Sequence, residues 1–179
     1  MNNKLRLLLT EVCNRNCEGC CNKDWDLKAL PVCTDYSGYD EIMVTGGEPM
    51  LYPELIWNVI ADARIENPKI TAILYTAYLE DFEELAALIY FTLDGITLTL
   101  HVKEDVPKFE AFVEYCEAKG ITMDEWGCNL RLNVFSECEY TPSPQVLRSW
   151  TVKNGIEWIK DCPLPQDEVL MRFGEIKEY

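Results

Sequence analysis

Six short runs of β-type residues recur along the chain: Leu5–Thr10, Glu41–Thr45, Ile70–Thr76, Ile96–His101, Leu130–Phe135 and Ile156–Lys160. Between several of them the apolar positions return with a helical period. Pro53 opens one such segment at a favourable first-turn position, with Leu55, Ile56, Val59, Ile60 and Ala63 as its apolar stripe. A second carries Glu80, Asp81, Glu83 and Glu84 around its start, where the helix dipole favours acids, and turns Phe82, Leu85, Ala86, Leu88 and Ile89 inward. A third starts near Pro107, uses Phe109, Phe112, Val113 and Cys116, and stops at Gly120. A weaker helical pattern follows Pro142 and Pro144. Strands alternating with helices imply βαβ units and a parallel sheet.

An eight-fold barrel takes about 200 residues or more. The expected fold class is therefore α/β, a partial (β/α)6 barrel with parallel strands and helices on the outside; a flat doubly wound sheet is the alternative. The length of 179 residues fits a single domain, with its core over roughly residues 4–160 and a C-terminal extension from 161 to 179. The run Val169-Leu170-Met171-Arg172-Phe173 in that extension is an added strand or a cover for the barrel edge. Cys21 to Asp40 reads as a long loop, and a loop of that length inside a compact domain is usually functional.

Two strands are polar on one side. Ile96, Leu98 and Leu100 share one face, and Thr97, Thr99 and His101 the other; Leu130, Leu132 and Val134 oppose Asn129, Arg131 and Asn133. Strands of a parallel sheet are usually apolar on both faces. Either the polar faces line a barrel that holds a ligand, or they form a one-sided sheet wetted by solvent.

Charge narrows the partners. There are 16 Lys+Arg against 31 Asp+Glu, a formal charge of −15. That balance argues against nucleic-acid backbones and anionic membranes. No apolar run approaches the ~20 residues of a membrane span, and the N-terminus lacks the pattern of a signal peptide. A cytoplasmic protein is the expectation.

Nine cysteines, an odd number, exclude a fully paired disulfide framework. Four of them, Cys13, Cys17, Cys20 and Cys21, crowd together just after the first strand. Cys13, Cys17 and Cys20 form C-x3-C-x2-C at the C-terminal end of a strand, where barrel active sites are built. Thiolates at this spacing can hold an iron–sulfur cluster. Four cysteines normally saturate a four-iron cluster, so three leave one iron open for chemistry. Adjacent Cys20 and Cys21 cannot readily point at one cluster. Gly46-Gly47-Glu48-Pro49 follows the second strand. Its glycines let the backbone approach a ligand closely, and the Glu48 carboxylate can accept from an ammonium. Taken alone, that turn is only a tight strand-to-helix connection. The cysteines alone are also consistent with a zinc module on Cys13, Cys17, Cys20 and Cys21, or with a simple iron–sulfur electron carrier. Cys116 falls on an apolar helix face and reads as core; Cys128, Cys138 and Cys162 lack the spacing of a second cluster loop.

Cys13, Cys17 and Cys20 together with Gly46-Gly47-Glu48-Pro49 resemble the radical S-adenosylmethionine superfamily, and the likeness runs through the strand–helix alternation to about residue 135. The resemblance implies a [4Fe-4S] cluster on the three cysteines and S-adenosyl-L-methionine on its open iron. One electron, from a flavodoxin- or ferredoxin-type donor, would cleave the sulfonium to methionine and a 5′-deoxyadenosyl radical, which abstracts hydrogen from substrate. It assigns Gly46, Gly47 and Glu48 to the methionyl end. It brings Thr76, His101, Arg131 and Asn133, at the ends of later strands, toward the ribose, adenine and carboxylate, with His101 also a candidate for proton transfer. The cysteine loop and the turn through Pro53 also resemble glycyl-radical-enzyme activases, whose upstream glycine-rich strand is absent here. Many members carry an aromatic residue just before the third cysteine; this chain has Gly19. The implied substrate is a peptide, a protein or a small molecule, with an activase for a glycyl-radical partner as the alternative.

Overall fold

The computed structural model describes residues 4–121, 127–159 and 161–174. The chain is α/β. Its strands are β1 (Lys4–Leu8), β2 (Val32–Cys33), β3 (Glu41–Thr45), β4 (Thr71–Thr76), β5 (Gly95–Leu100), β6 (Asn129–Phe135), β7 (Thr151–Ile156) and β8 (Glu168–Phe173). Four helices lie among them: α1 (Pro53–Glu66), α2 (Phe82–Phe91), α3 (Asp105–Ala118) and α4 (Pro144–Ser149). The sheet order is β2-β8-β1-β3-β4-β5-β6-β7. The pairs β1–β3, β1–β8, β2–β8, β3–β4, β5–β6 and β6–β7 all run parallel. No helix among the described residues is long and apolar enough to cross a membrane. By internal contacts the chain divides into two units, Met1–Leu74 with Trp158–Tyr179, and Tyr75–Glu157.

In the first unit, Leu5, Leu7, Leu8, Ile42 and Val44 are fully buried, as are Ile56, Val59, Ile60 and Ala63 of α1. The sequence stripe of α1 is thus its buried face, except that Leu55 is only half-buried. Pro53 sits in the first turn, where its missing N–H costs no hydrogen bond. The run Val169–Phe173 is an added strand. β8 lies on β1 with Lys4 opposite Glu168 and Leu8 opposite Arg172. The Arg6 guanidinium Nε donates to Glu168 Oε2 at 2.8 Å across that pair, with both side chains largely shielded.

In the second unit, Asp81 caps α2, its carboxylate accepting from the Glu84 N–H at 3.0 Å. Phe109 and Phe112 of α3 are fully buried. Phe112 meets Phe82 with ring centroids 5.6 Å apart, and Phe109 meets Trp150 edge-on at 5.2 Å. Cys116 is core, 1% exposed, and burial pushes its thiol up to about 12.

The expected six-stranded count is corrected to eight strands. β2 lies inside the segment read as a loop, which also folds into 3-10 turns at Cys21–Lys23 and Leu27–Ala29. The sixth expected strand is displaced toward the N-terminus, to Thr151–Ile156. Its weak alternation concealed it, because Gly155 takes φ +71° and the register with β6 shifts between Asn133 and Phe135. Lys160, the last residue of that expected strand, and residues 175–179 of the extension lie outside the described residues.

Candidate functional site

Thr10 turns the chain out of β1. It is 3% exposed, and its Oγ1 accepts from the Val12 N–H at 3.0 Å. This local bond starts the cysteine loop in a fixed direction. The turn after β3 then docks on the loop backbone. The Gly47 N–H donates to the Thr10 carbonyl at 2.7 Å and the Glu48 N–H to the Val12 carbonyl at 2.8 Å. The Asn22 side-chain amide donates to the Gly46 carbonyl at 2.9 Å, and the Lys23 ammonium to the Cys17 carbonyl at 2.6 Å. The two sequence signals are therefore joined into one substructure in the first unit.

The role of the two glycines differs from the expectation. They make room for the cysteine loop itself. A Cβ at residue 46 would lie 2.5 Å from the Thr10 oxygen, at a backbone φ of +145°. A Cβ at residue 47 would lie 2.5 Å from the Val12 carbonyl carbon and 2.8 Å from the Glu11 oxygen. Real Cβ contacts are not that short, so both positions require glycine. Glu48 is buried, 2% exposed, and its Oε1 accepts from the Met50 N–H at 3.1 Å, which fixes the carboxylate in place.

Cys13 is exposed and Cys17 and Cys20 are half-buried; all three are free thiols. Burial is the main cause that raises the Cys13 and Cys17 thiols. Cys17 also feels the negative charge of Cys20 and Cys13, and Cys13 that of Glu48 and Cys20. Such mutual repulsion places the three sulfurs near one another, and it is what a bound cation relieves. The donor set thus suits a thiolate-bound metal or cluster. Among the described residues, no group of three or more His, Cys, Asp and Glu is gathered into metal-holding geometry.

Cys21, the fourth cysteine of the crowd, is committed elsewhere. It forms a disulfide with Cys162, with Cα atoms 5.4 Å apart. Spacing along the chain carries no signal for this pair, which is separated by 141 residues. Trp158 was also invisible as a site residue. Its ring lies against Gly19, where a Cβ would come 2.6 Å from both Cβ and Cδ2 of the tryptophan.

The remaining candidates belong to the second unit. Thr76 is 5% exposed, and its Oγ1 accepts from the Tyr78 N–H at 3.0 Å, closing β4 with a local turn. His101 follows β5, half-buried, with its ring 4.9 Å from that of Phe135. Its backbone N–H, and that of Val102, donate to one oxygen of Asp105 at 2.8 and 3.2 Å. Asp105 is 3% exposed and was missed in the sequence, where it reads only as an acid at a helix start. On β6, Arg131 pairs in register with Thr97 and Thr151, and Asn133 with Thr99 and Lys153. Arg131 is exposed and Asn133 half-buried. This polar face is mixed: Asn129 and Arg131 are wetted, but Thr97 is 3% exposed and its Oγ1 has no hydrogen-bond partner among the described residues. The chain matches no protein-family model, and no curated protein matches it.

Proposed function

We propose that the chain is a radical S-adenosylmethionine enzyme acting on a peptide or small-molecule substrate, with the parallel α/β sheet forming a partial barrel around the reaction. The observation that carries this reading is the hydrogen-bonded union of the C-x3-C-x2-C loop with the Gly46-Gly47-Glu48 turn, through the Gly47 and Glu48 N–H groups. A zinc or electron-carrier module needs the cysteines but has no use for the second part. The Cys21–Cys162 disulfide supports the same reading, because it withdraws the fourth thiol and leaves a set of three.

Cys13, Cys17 and Cys20 would hold a [4Fe-4S] cluster, which when bound supplies the electron that cleaves S-adenosylmethionine to methionine and a 5′-deoxyadenosyl radical. The chain's own residues would bind and orient. Glu48 offers a fixed carboxylate as acceptor for the methionyl ammonium, held in place by the Met50 N–H. Arg131 offers a guanidinium to a carboxylate, and Asn133 beside it an amide. His101, whose main chain Asp105 holds, is the candidate for a ribose contact or a proton transfer. A one-electron donor of flavodoxin or ferredoxin type completes the system.

The test is anaerobic reconstitution with iron and sulfide, then dithionite reduction with S-adenosylmethionine, on wild type and Cys17→Ala. A brown protein that releases 5′-deoxyadenosine, with a silent variant, is the expected result. A colourless protein loaded with zinc and releasing none would sink the proposal. If brown wild type releases none without substrate, S-adenosylmethionine must still perturb the electron paramagnetic resonance signal of its reduced cluster; no perturbation also rejects the reading.

A further inference from the structure

The segment that carries Trp158, Ile159 and Cys162 does more than link β7 to β8. Trp158 packs on Gly19, inside the stretch between Cys17 and Cys20, so closely that residue 19 has no room for a side chain. The Cys21–Cys162 disulfide fastens the same segment to the residue next to Cys20. Its anchor is held in an unfavourable backbone conformation: Asp161 has φ +63° and Cys162 φ +33°, both in the left-handed region that side chains disfavour. Two independent contacts thus press one strap onto the cysteine loop, one of them breakable by chemistry that leaves the rest of the fold alone. β8 stays on β1 through its ladder and the Arg6–Glu168 pair.

We infer that this segment is a redox-released cover of the cysteine loop, closed by the Cys21–Cys162 disulfide and opened by a dithiol reductant. Cys162 is 7% exposed, whereas Cys21 is half-buried, so the Cys21 sulfur is the accessible end for attack. The reductant's thiolate attacks Cys21 and expels the Cys162 thiolate. The reductant's second thiol then displaces Cys21 and leaves as the oxidised disulfide. Two electrons and two protons pass to the protein as two thiols. Once free, the anchor relaxes, Trp158 leaves Gly19, and Cys17 and Cys20 become accessible. The loop is then open to loading under the reducing conditions in which an iron–sulfur cluster survives, and covered under oxidising ones.

The test uses the full-length chain without any metal. A peptide map under non-reducing conditions after aerobic purification is expected to contain the Cys21–Cys162 cross-link. Pulsed alkylation, mapped residue by residue, is expected to label Cys17 and Cys20 on the order of tenfold faster after mild reduction, the gain expected of a local opening. The double variant Cys21→Ser/Cys162→Ser is expected to label at the fast rate without reductant. Gly19→Ala, which dislodges Trp158 but keeps the disulfide, is expected to label faster than oxidised wild type. Absence of the cross-linked peptide overturns the inference. So do equal rates in oxidised wild type, reduced wild type and the double variant. No readout involves iron or S-adenosylmethionine, so failure here is distinct from failure of the proposed activity.

Discussion

Gly47 is the residue on which the candidate site turns. Its N–H holds the Thr10 carbonyl, and the space beside its Cα is filled by the backbone of Glu11 and Val12. Backbone cannot swing aside as a side-chain tip can. We therefore expect Gly47→Ala to destabilise the protein by about 2 kcal/mol or more, the usual cost of forcing atoms into a packed interior. A urea midpoint within error of wild type would show that the loop yields instead. The motif Gly-Gly-Glu-Pro was legible in the sequence, but the reason for its glycines was not. Strand-end position suggested a close approach to ligand; the actual approach is to the loop sixty degrees of chain direction away, a relation that appears only when β1 and β3 lie side by side. Asp105 was illegible for a similar reason: nothing in its neighbours says that it collects the N–H groups of His101 and Val102.

At the scale of elements, periodicity was a sound guide wherever one face was buried. The stripes of α1, α2 and α3 are their buried faces for most residues because a helix side that meets the sheet must be apolar along its length. Acids at the start of α2 were read as dipole partners; the structure adds that Asp81 is a cap, its carboxylate satisfying the Glu84 N–H. Replacing it with Ala is expected to cost about 1 kcal/mol. The same loss should appear as faster amide exchange confined to the first turn of α2, and unchanged exchange there would contradict the capping role. Strands were less legible where pairing matters more than pattern. β2 has two residues and no period to read, and it exists because Val32 and Cys33 align with Arg172 and Phe173 of β8.

The charge balance and the buried acids act on the molecule as a whole. Burial pushes Cys116, Cys128 and Tyr140 each up to about 12, with the charges of Asp94 and Glu110 adding to the rise at Cys128 and Tyr140. The native state keeps these protons after the unfolded chain, with thiols near 9 and phenols near 10, has begun to lose them. The unfolded state then binds fewer protons than the native state, so stability falls as pH rises from about 9 toward 12. The contribution is complete below the unfolded values and is lost through that window. Urea midpoints at pH 8 and pH 10.5 are expected to decline, and to decline less in Cys116→Ala. A flat profile would mean that these groups are not shielded in the native protein.

The sequence by itself determined the alternation of strands and helices, the apolar faces, the cysteine loop and the turn that follows β3. These are local matters: a period of two or 3.6 residues, a cap, a spacing of thiols on one loop. Tertiary structure alone decided the pairing of Cys21 with Cys162, the seating of Trp158 on Gly19, and the place of β8 beside β1. Each joins residues far apart in the chain, and each depends on shape or on a shared sheet edge. No local pattern of hydrophobicity or charge encodes such a contact, because what fixes it is the packing of the whole chain and not the conformational preference of any one segment.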